Sequence, residues 1–374
     1  MRVLLWGTYD LGKPRVRLMR DALRMIDPHL REIHRPVWDD IEDKSGLTGF
    51  ARLAGIAWRW LMAYPPLVWH VARQRDIDVL VIGYLGLVDA RVLAPIARMR
   101  GIPVVWDAFL SIYDTYAIDR RMASPGCLLA RTLRWLERQA CRAADVVVLD
   151  TMAHARLFEQ LHGVPENRLA AAFVGAEDAA FALRTGRGGG ASERPLVLFY
   201  GQFIPLHGID TIVEAALSAR GRSSDWQIIG TGQEARRIDA MLAEAGAQHV
   251  ERIDWIDYAR LQEAMDRADV CLGIFGTSEK AASVIPNKVF QALAAGMPLV
   301  TRDSPAMREL VGGNEPGLYL VRAGDSASLL DGLEKFARER QSLPAVLHRQ
   351  LAERFSPDAL AGQWQAIIEK ALAR

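Results

Sequence analysis

The residues from Pro286 to Val300, PNKVFQALAAGMPLV, place a basic side chain at a predicted helix start. Pro286 and Asn287 suit the first turn of a helix, and a Gly-Met-Pro sequence ends that helix before an apolar strand. The first turn of a helix offers free backbone N–H groups and the positive end of the helix dipole, and Lys288 adds a full charge. We therefore predict that Asn287 and Lys288 bind a diphosphate.

Apolar strands that end in glycine come before this segment. Residues 195–200 form a fully apolar strand that ends at Gly201, and residues 226–229 form a second short strand that ends at Gly230 and Gly232. Strands of this kind, alternating with helices, build a parallel sheet whose ligand lies at the carboxyl ends of the strands. We therefore expect the three glycines to face the ligand.

These pieces, in this order, resemble the nucleotide-sugar-dependent glycosyltransferases of family 4, which are retaining enzymes of the GT-B fold. The resemblance rests on four segments and covers most of residues 195 to 335: 201–208, 228–232, 268–270 and 286–300. It implies an α/β fold with two Rossmann-like domains that face each other across a cleft. It also implies transfer of a sugar from a nucleoside diphosphate to an acceptor hydroxyl, with retention of configuration.

The glycine loop departs from the family pattern. Relatives usually carry Arg and Lys in a sequence such as G-R-x-x-x-x-K-G, whereas this chain has Gln202 and His207 at those places. Gln202 donates a hydrogen bond without charge, and His207 is charged only near or below its ordinary pKa of about 6.5. We therefore expect Lys288 to stabilise most of the leaving-group charge, with His207 as a second catalytic group. The alternative for Lys288 is a solvated lysine at a helix start.

The paired glutamates of the family, spaced E-x7-E, are also replaced. Their positions fall on Ser283 and Gln291, while Glu279 lies nearby in the loop. The resemblance implies that Gln291 contacts the ribose hydroxyls, although less strongly than a carboxylate would. It also implies that Glu279 contacts the donor sugar. The alternatives are a packing glutamine and an exposed loop glutamate.

In relatives, the nucleotide base binds to main-chain groups at a strand edge that corresponds to residues 253–256 of this chain. Ile253 is the candidate main-chain contact, and Trp255 could stack on the base or shape its pocket. Ordinary packing is the alternative for Trp255.

The first strand ends in a loop, Gly7 to Gly12, whose spacing is G-x4-G. This spacing is not the G-x-G-x-x-G pattern of dinucleotide-binding enzymes, so hydride transfer is disfavoured. The resemblance implies that Gly12 lets the backbone approach a ligand and that Arg15 meets an anionic group on the acceptor side. A solvated arginine face is the alternative for Arg15.

Asp107 follows an apolar strand at residues 102–106. A carboxylate at the carboxyl end of a parallel strand points towards the ligand, where it could orient the acceptor hydroxyl or stabilise positive charge on the sugar. The alternative is that Asp107 caps the next turn. Asp150, after the strand at 146–149, is interpreted as a helix cap.

The run RTGRGGGASERP predicts a flexible linker because glycine, serine and charged residues cannot build a core. We predict an acceptor-side domain at residues 1–183, a linker at 184–194 and a nucleotide-sugar-binding domain at 195–356. The resemblance implies that a helix at 357–374 crosses back towards the first domain.

Residues 50–73 are rich in Leu, Trp and Met but are interrupted by Arg59, Pro65 and Pro66. A helix that spans a bilayer needs about 20 uninterrupted apolar residues. Tryptophans and arginines could instead anchor this segment at the inner face of a membrane. The alternative is a pair of helices packed on the first sheet.

Composition excludes several classes of protein. Half of the 374 residues are apolar and the net charge is +1, so neither disorder nor nucleic-acid binding is indicated. The three cysteines show no CxxC spacing, which indicates a reducing, cytoplasmic location. The first residues predict a strand rather than an export signal. No D-x-D pair stands at a convincing strand end, so we expect no metal and no cofactor besides the donor substrate.

Three functions stay open at this stage. The first is a glycosyltransferase of cell-surface glycan or glycolipid synthesis, with a lipid-linked or saccharide acceptor. The second is a nucleotide-sugar epimerase of the same fold. The third is a catalytically degenerate protein that binds a nucleotide sugar or supports a partner enzyme.

Overall fold

A computed structural model describes residues 1–37, 50–177, 181, 183 and 194–374 of the chain. These residues divide into two compact units. The first unit contains residues 1–174 and 357–374, and the second contains residues 175–356. The predicted linker, 184–194, lies outside the described residues except for Arg194.

The first unit is built on a parallel six-stranded sheet in the order β2-β1-β3-β4-β5-β6. Its strands are β1 Val3–Gly7, β2 Arg31–His34, β3 Val79–Ile82, β4 Val104–Phe109, β5 Val146–Leu149 and β6 Leu169–Ala171. Its helices include α1 Pro14–Ile26, α2 Phe50–Arg73, α3 Leu87–Met99, α4 Leu128–Ala143 and α5 Met152–His162. A π-helical turn, Asp114–Asp119, follows β4.

Side-chain alternation divides the first core into two layers. Leu4, Leu80 and Val147 point to the layer that α2, α3, α4 and α5 cover. Val3, Val79 and Val146 point to the opposite layer. Because both faces of the sheet are buried at its centre, the inner strands β1, β3 and β5 are apolar throughout, whereas the edge strand β2 is mostly polar and partly exposed.

α2 is one continuous helix that contains Pro65 and Pro66, not the pair of helices considered from the sequence. Two hydrogen bonds attach the inner side of α2 to the first unit. The Trp60 indole donates to the Thr8 hydroxyl at 3.2 Å, and the Tyr64 hydroxyl donates to Asp89 at 2.8 Å. None of the described helices is long and apolar enough to cross a bilayer.

The second unit contains a parallel six-stranded sheet in the order β12-β11-β10-β7-β8-β9. Its strands are β7 Leu196–Tyr200, β8 Asp225–Ile229, β9 Val250–Ile253, β10 Val270–Leu272, β11 Leu299–Arg302 and β12 Leu318–Val321. Its helices are α6 Ile209–Leu217, α7 Ala235–Ala245, α8 Leu261–Arg267, α9 Glu279–Ser283, α10 Asn287–Ala294, α11 Pro305–Leu310, α12 Ser326–Glu339 and α13 Arg349–Glu353.

The last helix, α14 Pro357–Leu372, belongs to the first unit. Leu360, Trp364 and Ile368 recur at helical spacing and pack in the layer that also contains Met19 and Leu23 of α1. Gln363 accepts a hydrogen bond from the Phe173 amide at 2.9 Å, which fixes the helix near the end of β6.

Candidate functional site

Gly201 lies at the carboxyl end of β7, beside the side chain of Lys288. Its φ is +142°, which a residue with a side chain rarely adopts, and a Cβ there would lie 2.6 Å from Lys288 Nζ. A Cβ would also lie 3.2 Å from His207 Cε1. Glycine is therefore required here, and it brings Lys288 and His207 to one place.

A second glycine loop packs directly on the first. Gly201 N donates to Ile229 O at 2.9 Å, and a Cβ on Gly230 would lie only 1.8 Å from Gly201 O. Gly232 lies against the backbone of Phe203, whose amide donates to Thr231 O at 2.8 Å. The structure thus brings together the glycines that the sequence predicts at the ends of β7 and β8.

The Lys288 amine is buried without a counter-charge from the part of the chain that the structure describes. Among the described residues its Nζ has no hydrogen-bond partner, and it lies 3.9 Å from the ring centroid of Phe199. Burial lowers the pKa of Lys288 well below its ordinary value. A buried polar group in this state is costly, so an anion that pairs with it would be stabilised strongly.

Lys288 lies in the first turn of α10, directly after Asn287. Pro286 is the residue immediately before α10, and within the described chain no side chain caps this helix start. The Val289 amide donates to the Pro286 carbonyl at 2.9 Å, so a ligand at this helix start would use the amides of Asn287 and Lys288, where the positive end of the helix dipole lies. Asn287 is half-buried.

One ring nitrogen of His207 forms a hydrogen bond within the glycine loop. Its Nδ1 is hydrogen-bonded to the carbonyl oxygen of Gln202. A carbonyl oxygen only accepts, so Nδ1 carries a hydrogen and the neutral ring has its lone pair on Nε2. His207 therefore donates to an anion through Nε2 only as imidazolium. The Gln202 side chain is exposed.

Gln291 lies in α10 between two tyrosines that sequence analysis did not consider. The Tyr200 hydroxyl donates to Gln291 Oε1 at 3.1 Å, and Gln291 Nε2 donates to the Tyr258 hydroxyl at 3.1 Å. Contact with a ribose would thus add to, or replace, bonds that already exist. The position of Tyr200 at the end of β7 is the one sequence signal that could have identified this arrangement.

The other donor-side candidates differ in exposure. Glu279 is exposed at the start of α9. The carbonyl oxygen of Ile253 accepts from Gly230 N at 2.9 Å and from Arg252 Nη1 at 2.6 Å, so strand pairing and an arginine already use it. Trp255 is 67% exposed.

In the first unit, Arg15 and Asp107 are paired with each other. Arg15 Nη2 lies 2.7 Å and Nε 3.0 Å from the carboxylate oxygens, and Nη1 donates to the carbonyls of Ala172 and Phe173 at 2.5 and 3.0 Å. Burial raises the pKa of Asp107 although the charge of Arg15 opposes that rise. The pair joins α1 to β4 and to the end of β6.

Gly12 is exposed, and its amide donates to Asp10 Oδ1 at 3.0 Å. This bond closes the turn between β1 and α1. The turn therefore uses the Gly12 amide internally.

Asp89 is a buried carboxylate that sequence analysis missed. It accepts from Thr8 N at 2.6 Å and from the hydroxyls of Thr8 and Tyr64 at 3.1 and 2.8 Å. Burial raises the pKa of Asp89 to about 6, and these hydrogen bonds oppose the rise. The signal in the sequence was one acidic residue on the apolar face of α3.

Two family models match the chain. One is described as glycosyl transferases group 1 and matches residues 194–339, and the other is described as a glycosyl transferase 4-like domain and matches residues 14–172. The chain belongs to the group 1, family 4-like glycosyltransferases. The predicted family resemblance is confirmed.

Two relatives of this glycosyltransferase-family chain illustrate the similarity. It is 32% identical over 148 residues to a phosphatidyl-myo-inositol mannosyltransferase of Mycobacterium leprae. The aligned region covers 38% of this chain and 37% of the relative. It is 26% identical over 217 residues to a putative colanic acid biosynthesis glycosyltransferase of Salmonella typhimurium. This aligned region covers 55% of the chain and 52% of the relative. The chain thus spans about half or less of these two relatives.

Solved structures confirm the α/β GT-B fold of the family member. A HepE protein of Anabaena, solved in complex with UDP, matches with a TM-score of 0.67 at 13% identity, over 99% of this chain and 100% of that one. Identity at this level supports the fold alone. The two parallel six-stranded sheets agree with it.

Proposed function

We propose that this protein transfers a sugar from a nucleoside diphosphate to an acceptor hydroxyl with retention of configuration. The observation that carries the proposal is the buried Lys288 amine, which lies beside Gly201 and at the open start of α10. In such a reaction the sugar becomes oxocarbenium-like while the departing diphosphate gains charge. Lys288 and the first amides of α10 stabilise that charge.

The donor class is proposed from the charge of the site and from the fold. The HepE structures of Anabaena were solved with UDP and with UDP-glucose, which supports a nucleoside diphosphate sugar as the donor of this chain. Gly201, Gly230 and Gly232 let the two glycine loops and the Lys288 side chain pack closely at the strand ends, and Asn287 lies beside Lys288 in the first turn of α10. Fixed donors that need no rearrangement are the ones that accelerate such a step most.

The acceptor is proposed to be lipid-linked or a saccharide, in cell-surface glycan or glycolipid synthesis. The names of the mannosyltransferase of M. leprae and of the colanic acid enzyme of S. typhimurium support this class. A cytoplasmic location, with peripheral membrane contact through residues 50–73, is part of the proposal.

A panel of nucleotide sugars tests the function. Incubation of the full chain with each one is expected to release the nucleoside diphosphate slowly, because water replaces the missing acceptor. Interconversion of two nucleotide sugars without release would indicate an epimerase. Binding without any turnover would indicate a degenerate binding protein.

The variant Lys288→Ala tests the assigned residue. Loss of one fixed donor to a developing anion costs about 2.7–4 kcal/mol in the transition state, so turnover is expected to fall at least about 100-fold. Lys335→Ala, which removes an exposed lysine elsewhere in the second unit, is the matched control and is expected to keep full turnover. Undiminished turnover of Lys288→Ala would remove Lys288 from the site.

A further inference from the structure

The outward side of α2, α3 and α4 exposes large apolar side chains that an aqueous surface does not favour. Six of them are more than half exposed: Trp58 61%, Leu61 58%, Trp69 55%, Met99 81%, Leu128 81% and Trp135 57%. Single exposed apolar residues are common on proteins, but a set of this size on adjacent helices marks an interaction surface.

The three helices cover the same face of the first sheet. Ala63, Leu93 and Ala140, one from each helix, are buried in one core layer. The Arg100 guanidinium donates to the carbonyls of Val71 and Gln74 at 2.9 and 2.5 Å, which joins the ends of α3 and α2. The helices therefore form one layer, and their outer side chains lie on one surface.

The charge of this surface has one sign. Exposed arginines accompany the apolar residues: Arg59, Arg73, Arg91, Arg98, Arg131 and Arg142. Among the described residues of α2, α3 and α4, the only acidic groups are Asp89 and Glu137, and both are buried. The whole chain has a net charge of only +1, so this basic layer is a local asymmetry.

Tryptophan and arginine together suit the boundary between lipid and water. The Arg73 guanidinium lies 3.7 Å from the centre of the Trp69 ring, so the cation and the aromatic ring form one amphipathic unit. Aromatic rings sit at the headgroup level of a bilayer, where arginine pairs with anionic lipid. α4 repeats the combination, because Leu128, Arg131 and Trp135 lie on its exposed side.

We propose that the α2–α4 face, defined by the six apolar and six basic residues above, docks on an anionic phospholipid bilayer. This extends the contact proposed for residues 50–73 to α3 and α4 and specifies the lipid charge. A second copy of the chain fits the face poorly, because a symmetric contact would bring basic groups against basic groups. The proposal rests on exposure and charge and is independent of sugar transfer.

Vesicle flotation tests the docking face with the full chain. Vesicles of equal parts phosphatidylcholine and phosphatidylglycerol are expected to bind the protein, and vesicles of phosphatidylcholine alone to bind it at least about tenfold more weakly. Added salt is expected to weaken the binding because it screens exposed charges. Equal binding to both vesicles, or no binding to either, would overturn the proposal.

The double variant Leu128→Glu/Trp135→Glu isolates the contribution of α4. It is expected to lower partitioning onto the anionic vesicles at least about tenfold, since two anchors are replaced by charges that the lipid repels. The control is Met25→Glu/Leu372→Glu, which places the same charges at exposed residues of α1 and α14, on the opposite face of the sheet. Wild-type binding of the α4 variant, or equal loss in both variants, contradicts the assignment.

A replacement variant and two further measurements separate the possible outcomes. Should the α4 variant fail to fold by circular dichroism, Arg131→Glu/Arg142→Glu replaces it and is expected to show the same loss. Light scattering measures the oligomeric state. A dimer of the wild type that the variant does not form would show that the face is a protein interface and would overturn the lipid proposal. Hydrolysis of nucleotide sugars without vesicles tests sugar transfer separately, so a failure of the docking proposal is distinguished from a failure of the proposed function.

Discussion

Lys288 Nζ lies 3.9 Å from the centre of the Phe199 ring, and no described residue supplies this amine with a counter-charge. Burial lowers the pKa of this amine well below its ordinary value. A diphosphate beside the amine favours the charged form and therefore raises the pKa again. Ligand binding and proton binding at Lys288 are linked for this reason.

The linkage predicts that diphosphate binding takes up a proton. Between pH about 8 and 10 the terminal phosphate stays in one form, and Lys288→Met keeps His207, so the uptake that is lost in this variant reports on Lys288. Titration calorimetry with UDP and GDP in buffers of different ionisation enthalpy measures it. Lys288→Met is expected to abolish the uptake. Identical binding enthalpies in all buffers for the wild type would contradict the linkage.

Asp89 predicts a pH dependence of stability. Its pKa is raised to about 6, so between about pH 4 and 6 the folded protein binds more protons than the unfolded chain. The contribution of Asp89 to the free energy of unfolding is therefore complete below about pH 4. It decreases by about 3 kcal/mol as the pH rises to about 6. Burial raises the pKa of Asp107 as well, which adds a loss of the same sign.

Asp89→Asn is expected to flatten this loss without removing it. The amide oxygen still accepts from Thr8, but the side chain no longer titrates. Urea unfolding of the wild type and the variant at several pH values across the window measures the difference. If the variant loses stability with pH as steeply as the wild type, Asp89 is not the titrating group.

At the scale of the elements, strand ends and helix starts were predicted well. The fully apolar run before Gly201 became β7, and the Pro-Asn sequence opened α10 at Asn287, because hydrophobic period and terminus chemistry are local properties. The partners of polar side chains were not predicted. Arg15 and Asp107 are 92 residues apart, and Tyr200 and Gln291 are 91 apart.

The reason for this difference is physical. Alternation of strands and helices tells which residues reach the carboxyl edge of a sheet, but several charged groups reach that edge together. Which of them pair depends on side-chain reach and burial, which the sequence pattern does not record. Arg15 was predicted to meet a ligand anion, and the anion it meets in the structure is Asp107.

The Arg15–Asp107 pair predicts a stability effect that belongs to the elements it joins. Arg15→Met leaves Asp107 buried and unpaired, which is expected to cost about 3–5 kcal/mol. Arg15→Met/Asp107→Leu removes both charges and is expected to recover most of that loss. Urea unfolding measures both variants. A loss below about 1 kcal/mol for Arg15→Met would show that the pair does not stabilise the fold.

At the scale of the whole molecule, each unit follows one plan. Both contain a parallel six-stranded sheet with helices, and both match a family model, residues 14–172 in one case and 194–339 in the other. The plan was predictable because alternating strands and helices give few other folds. The basic surface of α2–α4 was only partly predictable, since the sequence pointed to residues 50–73 alone.

The melting temperature of Lys288→Met, with and without ligand, tests the central claim most directly. The full-length variant replaces a buried, unpaired amine by an apolar side chain, so without ligand it is expected to melt at a higher temperature than the wild type. UDP or GDP at about 100 times its dissociation constant stabilises the wild type by about 2.7 kcal/mol, and the variant is expected to lose most of this gain. A variant that melts lower than the wild type and keeps the full nucleotide stabilisation would contradict a diphosphate site at Lys288.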